Sequence, residues 1–359
     1  MQFIRTIERP VIIAGPCSAE TEEQVMETAR QLKASGKVHV FRAGIWKPRT
    51  RPDSFEGIGE KGLAWVVNAG REFGLPVITE VANSQHVEKA LKAGFTRFWI
   101  GARTTVNPFT VQEIADSLKN VPDLEIMVKN PIHPDVNLWI GAIERFKKTG
   151  TSEVHAIHRG FYSFNSKVYR NEPMWEIPIA LKAAFNDVKL LCDPSHICGR
   201  RDLLADISQR AMDLIYDGLM IETHPNPDKA WSDAAQQITP QQLNELLSGL
   251  IVRNENSGDA AFRKNLESLR REINSIDDEL MHMLMKRMQI VKQIGKFKAE
   301  NKITILQPRR WDEIRAHYLK MAEESGLSSE FIEKYLEAIH LESIRLQTNI
   351  MNQHGSENS

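Results

Sequence analysis

The 359-residue sequence is poor in cysteine, in net charge and in long apolar segments. Its three cysteines, Cys17, Cys192 and Cys198, are an odd and sparse set, which argues against a disulfide framework and indicates a reducing cytoplasm. A net charge of −1 provides no overall field that would attract nucleic acid or an anionic membrane. No apolar run approaches the ~18 residues that span a bilayer, and "MQFIRTIERP" lacks the layout of a signal peptide. We therefore expect a cytoplasmic protein that binds neither membrane nor nucleic acid.

Residues 1–250 alternate short β-rich runs with amphipathic segments such as 22–35 and 84–94. Eight such repeats in a stretch of this length predict an α/β fold, a (β/α)8 TIM barrel. A doubly wound open sheet is the alternative. We rank it lower because no GxGxxG follows the first strand and because polar motifs recur after nearly every strand. The predicted strands are 11–15, 38–44, 76–81, 96–101, 125–130, 153–160, 189–195 and 218–224.

The pattern changes after residue 250. Residues 251–262 are polar and are predicted to be a linker, and no β signal follows them. We expect a small all-α domain over 263–351 and a disordered tail over 352–359. A first helix of about 38 residues is far longer than average and cannot bury its apolar positions against two shorter helices, so we expect an intertwined dimer. The three predicted helices are 263–300, one that begins at Pro308, and 329–351.

Polar residues with metal-ligand chemistry follow several of the predicted strands. The carboxyl ends of barrel strands build the active site in this fold. Taken alone, a cysteine at a strand end is more often a small core residue. A thiol, an imidazole and two carboxylates from different strands suit Mn²⁺, Fe²⁺, Co²⁺ or Zn²⁺ better than Mg²⁺ or Ca²⁺. These candidate ligands are Cys17, His196, Glu222 and Asp233.

The same strand ends carry a cluster of cations. Such side chains would repel one another unless anions lay among them, so the sequence predicts substrates with phosphate or carboxylate groups. The candidate residues are Arg42, Lys47, Arg49, Arg103, Lys129 and Arg159.

Seven motifs together resemble one enzyme family. "AGPCS", "RAGIWKPRT", "IGAR", "VKNP", "HRGF", "CDPSH" and "GLMIETHPNPDKAWSD" are similar to those of the type I beta 3-deoxy-D-arabino-heptulosonate 7-phosphate (DAHP) synthases. The motifs cover nearly all of residues 1–250. The resemblance implies condensation of phosphoenolpyruvate with erythrose 4-phosphate and release of phosphate, in the first step of the shikimate pathway.

The resemblance also implies a role for each matched residue. A divalent metal, with Mn²⁺ the first candidate, would be held by the four ligands named above and would polarise the aldehyde. Lys47 is in addition a candidate proton donor to the new hydroxyl, in competition with a metal-bound water. Arg51-Pro52 departs from the Ser-Pro that commonly follows "KPRT". Phosphoenolpyruvate would be held by Arg103, Lys129 and Arg159, with Lys47 beside them and Arg42 lining the site, and erythrose 4-phosphate by Arg49 and Thr50.

A neighbouring family is the main competitor for the barrel. The 3-deoxy-D-manno-octulosonate 8-phosphate synthases perform the same chemistry on arabinose 5-phosphate. Their loop resembles "KANR" where this chain has "KPRT", so the loop favours the four-carbon aldose.

The predicted C-terminal helices carry cations at spacings that suit a pocket. At ~100° per residue, Arg287 and Lys298 lie about 20° apart around the helix axis, so they can serve one site. Arg270 is rotated by about 100° from Arg287, which is how one subunit would lend an arginine to its partner. Ser343 and Gln347 are an i, i+4 pair on one face of the third helix.

These residues resemble those of the all-helical AroQ-class chorismate mutases, over residues 263–350. The resemblance implies the rearrangement of chorismate to prephenate, in which cations hold the two carboxylates and Lys298 and Gln347 face the ether oxygen. Many members place an acid directly after the position of Arg310, whereas this chain has Trp311 followed by Asp312 and Glu313. The implied pocket residues are Arg287, Lys298, Arg310, Ser343 and Gln347, with Arg270 from the partner subunit.

Three functions remain open from the sequence. The leading one is a bifunctional enzyme, with feedback inhibition of the barrel by prephenate through the helical domain. In the second, only the barrel is catalytic and the helices are a sensing or dimerisation module. In the third, the helices are a coiled-coil adaptor for a protein partner, which the polar pocket residues argue against.

Overall fold

A computed structural model describes residues 3–47, 55–151, 153–164, 166–214, 216–254 and 258–357, with side chains as far as 353. The chain divides into two compact units, Met1–Glu255 and Asn256–Ser359. The division falls inside the predicted linker. None of the helices among the described residues is long and apolar enough to cross a membrane.

The first unit is a closed barrel of eight parallel strands in sequential order. Each observed strand lies within one of the eight predicted runs, so the predicted (β/α)8 barrel is confirmed. Six of the observed strands end one to three residues before the predicted runs, because the last residues of those runs leave the sheet toward the rim; the first and third strands end where predicted. The strands are β1 (Val11–Gly15), β2 (Val40–Arg42), β3 (Val77–Val81), β4 (Arg97–Ile100), β5 (Glu125–Lys129), β6 (Glu153–His158), β7 (Leu190–Cys192) and β8 (Gly218–Glu222).

Helices surround the barrel, and many of them begin at a capping side chain. Thr21, Asn83 and Asp135 accept a hydrogen bond from a backbone N–H of the helix that follows each of them. The helices are α1 (Phe3–Thr6), α2 (Glu22–Ser35), α3 (Lys61–Phe73), α4 (Ser84–Ala93), α5 (Ala102–Thr105), α6 (Pro108–Ser117), α7 (Val136–Lys148), α8 (Glu176–Ala184), α9 (Pro194–Cys198), α10 (Leu204–Asp213) and α11 (Pro240–Gly249), with 3₁₀ turns at Pro227–Lys229 and Ala234–Gln236.

Side chains inside the barrel form layers. Because residues alternate along each strand, every second side chain points inward, and the middle layer is apolar around Trp99, Met127 and Met220. At the amino ends of the strands, Ile4 of α1 packs on this layer, and Glu125 accepts hydrogen bonds from the backbone N–H groups of α1. This end is therefore closed, and the polar residues at the carboxyl ends face the open side.

The second unit consists of three helices, α12 (Ala260–Glu300), α13 (Pro308–Ser325) and α14 (Ser329–Glu357). The first helix starts three residues before the predicted residue 263, because the Asp259 side chain caps it there. The third continues into 352–359, which we predicted to be disordered. The reason is that extending an existing helix adds one backbone hydrogen bond for each residue fixed, so no apolar burial is needed.

The helical unit has a small core within one chain. Ala322, Ile332 and Leu336 are its buried apolar cluster, whereas Ile273 and Leu280 of α12 are each more than half exposed. A single chain thus leaves most of the apolar residues of its longest helix in contact with solvent.

Gly15, at the carboxyl end of β1, generates a stability prediction. Its φ is +149°, and an added Cβ would lie 2.0 Å from the backbone oxygen of Arg42. We expect Gly15→Ala to lower the free energy of unfolding by at least about 3 kcal/mol, because it combines a strained backbone with a clash against main-chain atoms. Urea unfolding followed by tryptophan fluorescence measures this.

Gly249→Ala is the matched control, since nothing lies within 4 Å of an added Cβ there. Its effect is expected to stay within about 1 kcal/mol. Equal effects of the two substitutions would contradict the close approach of β1 and β2 at Gly15.

Candidate functional sites

The four predicted metal ligands converge at the rim of the barrel. Cys17, directly after β1, places its Sγ 3.2 Å from Oδ2 of Asp233. His196, on α9, places Nε2 3.8 Å from Oε1 of Glu222 at the end of β8. Asp233 adopts a left-handed backbone conformation, with φ 47°, which turns its carboxylate toward Cys17. A thiol with one carboxylate and an imidazole with another thus form two close pairs along the same rim.

A cation lies against each of three of these four side chains. Lys47 donates to Cys17 Sγ at 3.0 Å, and Arg42 Nη2 lies 3.0 Å from Glu222 Oε1. Arg170 Nη1 lies 2.9 Å from Asp233 Oδ1. Burial opposes the charge of Asp233, but Arg170 and His196 outweigh it and hold the pKa of this carboxyl well below its usual range.

The thiol of Cys17 is fully buried and stays protonated in this arrangement. Burial, and after it the Glu222 carboxylate, raise the pKa of Cys17 to about 12, although Lys47 acts in the opposite direction. Burial also lowers the pKa of Lys47, but Cys17 and Glu222 raise it by more, so the ammonium remains charged. A protonated amine therefore lies beside the thiol.

Asp193 organises the side chains between β5 and β8. Its Oδ2 lies 2.8 Å from Lys129 Nζ and 2.8 Å from His196 Nδ1. Burial lowers the pKa of His196, so the imidazole is neutral near pH 7. The ring of His196 therefore stands between two carboxylates, with Nδ1 beside Asp193 and Nε2 facing Glu222. A carboxylate beside one ring nitrogen is common in metal-ligating histidines.

A cavity of about 250 Å³ opens beside these donors. Arg159 lies at its wall, donating to Asn171 Oδ1 at 2.8 Å, and burial lowers the pKa of this guanidinium to about 10, so it stays charged. The cavity is lined by more cations than carboxylates, so it suits an anion with several charges. Predicted residues in its wall are Lys47, Arg103, Lys129, Arg159, His196 and Asp233, joined by Arg170 and Glu80.

The donor set fits a transition metal in chemistry. Among the side chains that the structure describes, however, no three His, Cys, Asp or Glu residues are gathered closely enough to hold an ion. The donors lie instead as two pairs, Cys17 with Asp233 and His196 with Glu222, with cations against three of them. The soft and hard donors and the oriented imidazole remain those of a Mn²⁺, Fe²⁺, Co²⁺ or Zn²⁺ site.

Not every residue near the carboxyl end of a strand faces the cavity. His158 points outward, away from the cavity, where its Nδ1 lies 2.9 Å from the hydroxyl of Tyr216. Arg42 lies under the site rather than in the cavity wall, with its guanidinium over Trp99. Arg49 and Thr50 lie outside the described residues.

Sequence reasoning missed three residues that shape the site. Asp193 stands inside the quoted "CDPSH" motif, of which only His196 was taken as a site residue. Arg170 and Gln236 lie on long connections after β6 and β8, where no periodicity marks them. Gln236 donates to Glu222 Oε2 at 2.7 Å.

A second cluster lies in the helical unit. Arg287 Nη1 donates to Ser343 Oγ at 2.9 Å. Ser343 and Gln347 are both buried, and Gln347 Nε2 donates to the backbone oxygen of Ser343 at 3.3 Å. The structure therefore brings together Arg287, Ser343 and Gln347, three of the residues that the family resemblance implies for the pocket.

A cavity of about 490 Å³ lies beside this cluster. Arg287, Arg310 and Trp311 are in its wall, and Trp311 is stacked on His340 with ring centroids 4.2 Å apart. Glu313 is also in the wall and lies 3.3 Å from Arg310 Nη1. An acid thus stands close to Arg310, two residues further along the helix than in the pattern to which the sequence was compared.

Of the six predicted pocket residues of this unit, only Arg287 and Arg310 line the cavity; Ser343, Gln347, Lys298 and Arg270 do not. Lys298 donates to the backbone oxygen of Ile305 at 2.7 Å. Arg270 is exposed, and 17 residues of helix, about 25 Å, separate it from Arg287. Within one chain, Arg270 cannot reach the cluster of Arg287.

Comparison with known proteins agrees with both units. Residues 6–255 match the model of the DAHP synthetase I family, and residues 269–348 match that of chorismate mutase type II. A phospho-2-dehydro-3-deoxyheptonate aldolase of Thermotoga maritima is 34% identical over 236 residues, which are 66% of this chain and 67% of the relative. A 2-dehydro-3-deoxyphosphooctonate aldolase of Desulfotalea psychrophila is 27% identical over 269 residues, covering 67% of this chain and 88% of that one.

A solved structure agrees with the fold. The crystal structure of the Thermotoga maritima DAHP synthase aligns with a TM-score of 0.60 at 31% identity, covering 67% of each chain.

The buried Asp193–Lys129 pair generates the prediction from this site. Asp193→Asn leaves the Lys129 ammonium buried without its counter-charge, so we expect the free energy of unfolding to fall by about 3–5 kcal/mol at pH 7.5. The pKa of Asp193 is held well below its ordinary value: burial opposes the charge, but His196 and Lys129 outweigh it. This stabilisation is therefore present above the unfolded pKa, about 4, and is lost as the pH falls further. Urea unfolding of the wild type and of Asp193→Asn at several pH values measures the difference between their free energies of unfolding, which should become smaller in acid.

Asp202→Asn is the matched control, because Asp202 pairs with Arg200 on an exposed surface. Its cost is expected to be below about 1 kcal/mol. If the difference in unfolding free energy between the wild type and Asp193→Asn did not change with pH, this would contradict an ionised Asp193 in the native state.

Proposed function

The chain belongs to the DAHP synthetase I family and carries a chorismate mutase type II domain, so it is a bifunctional enzyme of the shikimate pathway, and we propose that each unit works through the residues described above. The observation that carries the proposal is the barrel cavity, whose wall holds more cations than carboxylates together with His196 and Asp233, and whose Lys47 contacts the Cys17 thiol. Such a cavity suits two anionic substrates held side by side.

In the barrel, the cations bind phosphoenolpyruvate and erythrose 4-phosphate. Arg103, Lys129 and Arg159 hold the carboxylate and phosphate of phosphoenolpyruvate, supported by their common position in the cavity wall. Arg49 and Thr50, in the "KPRT" loop, hold the phosphate of erythrose 4-phosphate. Binding both substrates in fixed orientation supplies much of the rate, because the reaction joins two like-charged molecules.

Cys17, His196, Glu222 and Asp233 hold a divalent metal, with Mn²⁺ the first candidate. When bound, the metal acts as a Lewis acid toward the aldehyde oxygen. Lys47 donates the proton to the new hydroxyl group. Its charged state and its position beside Cys17 support this role.

The four-carbon aldose is preferred over arabinose 5-phosphate. The "KPRT" sequence of the loop and the higher identity to the heptonate aldolase, 34% against 27%, support this choice. Three free cysteines, all buried, agree with a cytoplasmic location.

The helical unit rearranges chorismate to prephenate in a homodimer. Arg287 and Arg310 bind the substrate carboxylates, Ser343 supports Arg287, and Lys298 and Gln347 face the ether oxygen. Arg270 comes from the partner subunit, since it cannot reach the cluster of its own chain. The exposed apolar residues of α12 support pairing with a second copy, and prephenate bound in this unit inhibits the barrel.

Metal binding by Cys17 generates a prediction with a pH dependence. The pKa of Cys17 is raised to about 12, so the thiol is protonated between pH 7 and 9 and must lose its proton to ligate a metal. We expect about one proton to be released per Mn²⁺ bound, and the apparent Kd to fall roughly tenfold for each pH unit gained. Calorimetry in buffers of different ionisation enthalpy measures the proton count.

Cys17→Ser should lose most of the metal affinity, and Cys192→Ser is the matched control because Cys192 is also a fully buried cysteine. Proton release that persisted unchanged in Cys17→Ser would rule out this thiol as the ligand.

Arg287→Ala tests the helical site and its regulatory role together in the full-length chain. We expect mutase activity to fall at least ~100-fold, because a charge-assisted contact to the substrate is lost. Inhibition of DAHP synthesis by prephenate should disappear with it, while uninhibited DAHP synthesis is retained. Chorismate loss and phosphate release are measured separately.

Co-expression with Arg270→Ala provides the control for subunit sharing. Each single variant is inactive as a mutase, but a mixed dimer contains one site with both arginines, so roughly a quarter of the activity should return. No recovery in proven mixed dimers would contradict the sharing of Arg270. Full prephenate inhibition in Arg287→Ala would place the regulatory site elsewhere.

A further inference from the structure

We propose that Arg170 is the positioning residue of the barrel's metal site, which orients Asp233 directly and Glu222 through Gln236. The inference rests on the proposed function, in that Cys17, His196, Glu222 and Asp233 are taken as the ligands. Arg170 itself touches none of the reacting atoms in this role.

The direct link joins Arg170 to one oxygen of Asp233. Arg170 Nη1 lies 2.9 Å from Oδ1, while the other oxygen, Oδ2, lies 3.2 Å from Cys17 Sγ. The guanidinium therefore occupies the outer oxygen of the carboxylate and leaves the inner one directed at the thiol.

The indirect link reaches the second carboxylate. Arg170 Nη1 also donates to Gln236 Oε1 at 2.6 Å, and Gln236 Nε2 donates to Glu222 Oε2 at 2.7 Å. Because the guanidinium engages the amide oxygen, the amide NH₂ is the group left to face Glu222. One cation thus sets the orientation of two carboxylates that come from different parts of the chain.

The backbone around Arg170 is attached to the helix that carries the imidazole. Arg170 N donates to Cys198 O at 3.3 Å, and Asn171 Nδ2 donates to His196 O at 2.6 Å. Gly199 ends that helix with φ +67°, and a Cβ there would lie 2.5 Å from Arg170 Cβ. The segment at Arg170 therefore joins three of the four ligands in one hydrogen-bonded unit.

Two variants and one control test the proposal on the full-length chain. Arg170→Met keeps the aliphatic stem beside Gly199 and removes every side-chain N–H donor. Gln236→Met removes only the indirect link from Arg170 to Glu222 and leaves the contact with Asp233. Arg200→Met is the control, since Arg200 pairs with Asp202 on the surface. Metal-free protein is titrated with Co²⁺ alone, and the thiolate-to-cobalt absorption gives the Kd without any turnover.

Loss of a side chain that orients metal ligands weakens binding by about 10–100-fold. We expect a loss of that size for Arg170→Met, a smaller loss for Gln236→Met, and none for Arg200→Met. Saturating metal should restore most of the turnover of Arg170→Met.

Two results would overturn the proposal. The first is an unchanged Co²⁺ Kd in Arg170→Met together with a raised KM for phosphoenolpyruvate, which would make Arg170 a substrate contact. The second, decisive also if Arg170→Met did not fold, is an unchanged Kd in folded Gln236→Met. If the wild-type chain gave no thiolate-to-cobalt band, the proposed metal site itself would be wrong, an outcome distinct from both.

Discussion

The balance of charge at the barrel rim is the constraint on which the catalytic unit depends. Buried cations from several strands are tolerable only because buried carboxylates lie among them, each shared between two neighbours. Asp193 serves Lys129 and His196, while Glu222 serves Arg42 and accepts from Gln236. An ion of either sign left alone at these positions would cost several kcal/mol, so the ligands, the cations and the fold are mutually dependent.

The excess of positive charge in the cavity wall then favours anionic ligands. The carboxylates of Glu222 and Asp193 lie against Arg42 and Lys129, whereas the Arg159 guanidinium in the cavity wall donates to the neutral amide oxygen of Asn171. Under the proposed function, this division separates the metal ligands from the substrate-binding cations, with Lys47 between them, beside Cys17 and in the wall. The proposed proton donor would then stand beside the thiol and next to the bound anions.

The helical unit solves a different physical problem. Its reaction needs only fixed cations, but a chain with one long helix and two shorter ones has too little apolar area to bury α12. The exposed residues around Ile273 and Leu280 and the distance of Arg270 from Arg287 have the same explanation in a second copy of the chain. Formation of a dimer would then both bury α12 and complete the site with Arg270. Prephenate would be both the product of catalysis and the ligand that causes feedback inhibition.

Much of this protein was predictable from local sequence. Eight apolar runs with polar residues at their ends specify the barrel strands, since period and length suffice for a buried parallel strand, and Pro308 marks the start of α13. Cys17 was ambiguous alone and became a candidate ligand only beside His196 and Glu222. The roles of Arg170 and Gln236 depended on tertiary structure, because both stand on irregular connections whose course no periodicity describes. The sequence by itself determined the fold, the two families and the chemical types at each site; only the tertiary structure decided which cation faces which carboxylate, because those pairings join residues up to 180 positions apart in the chain.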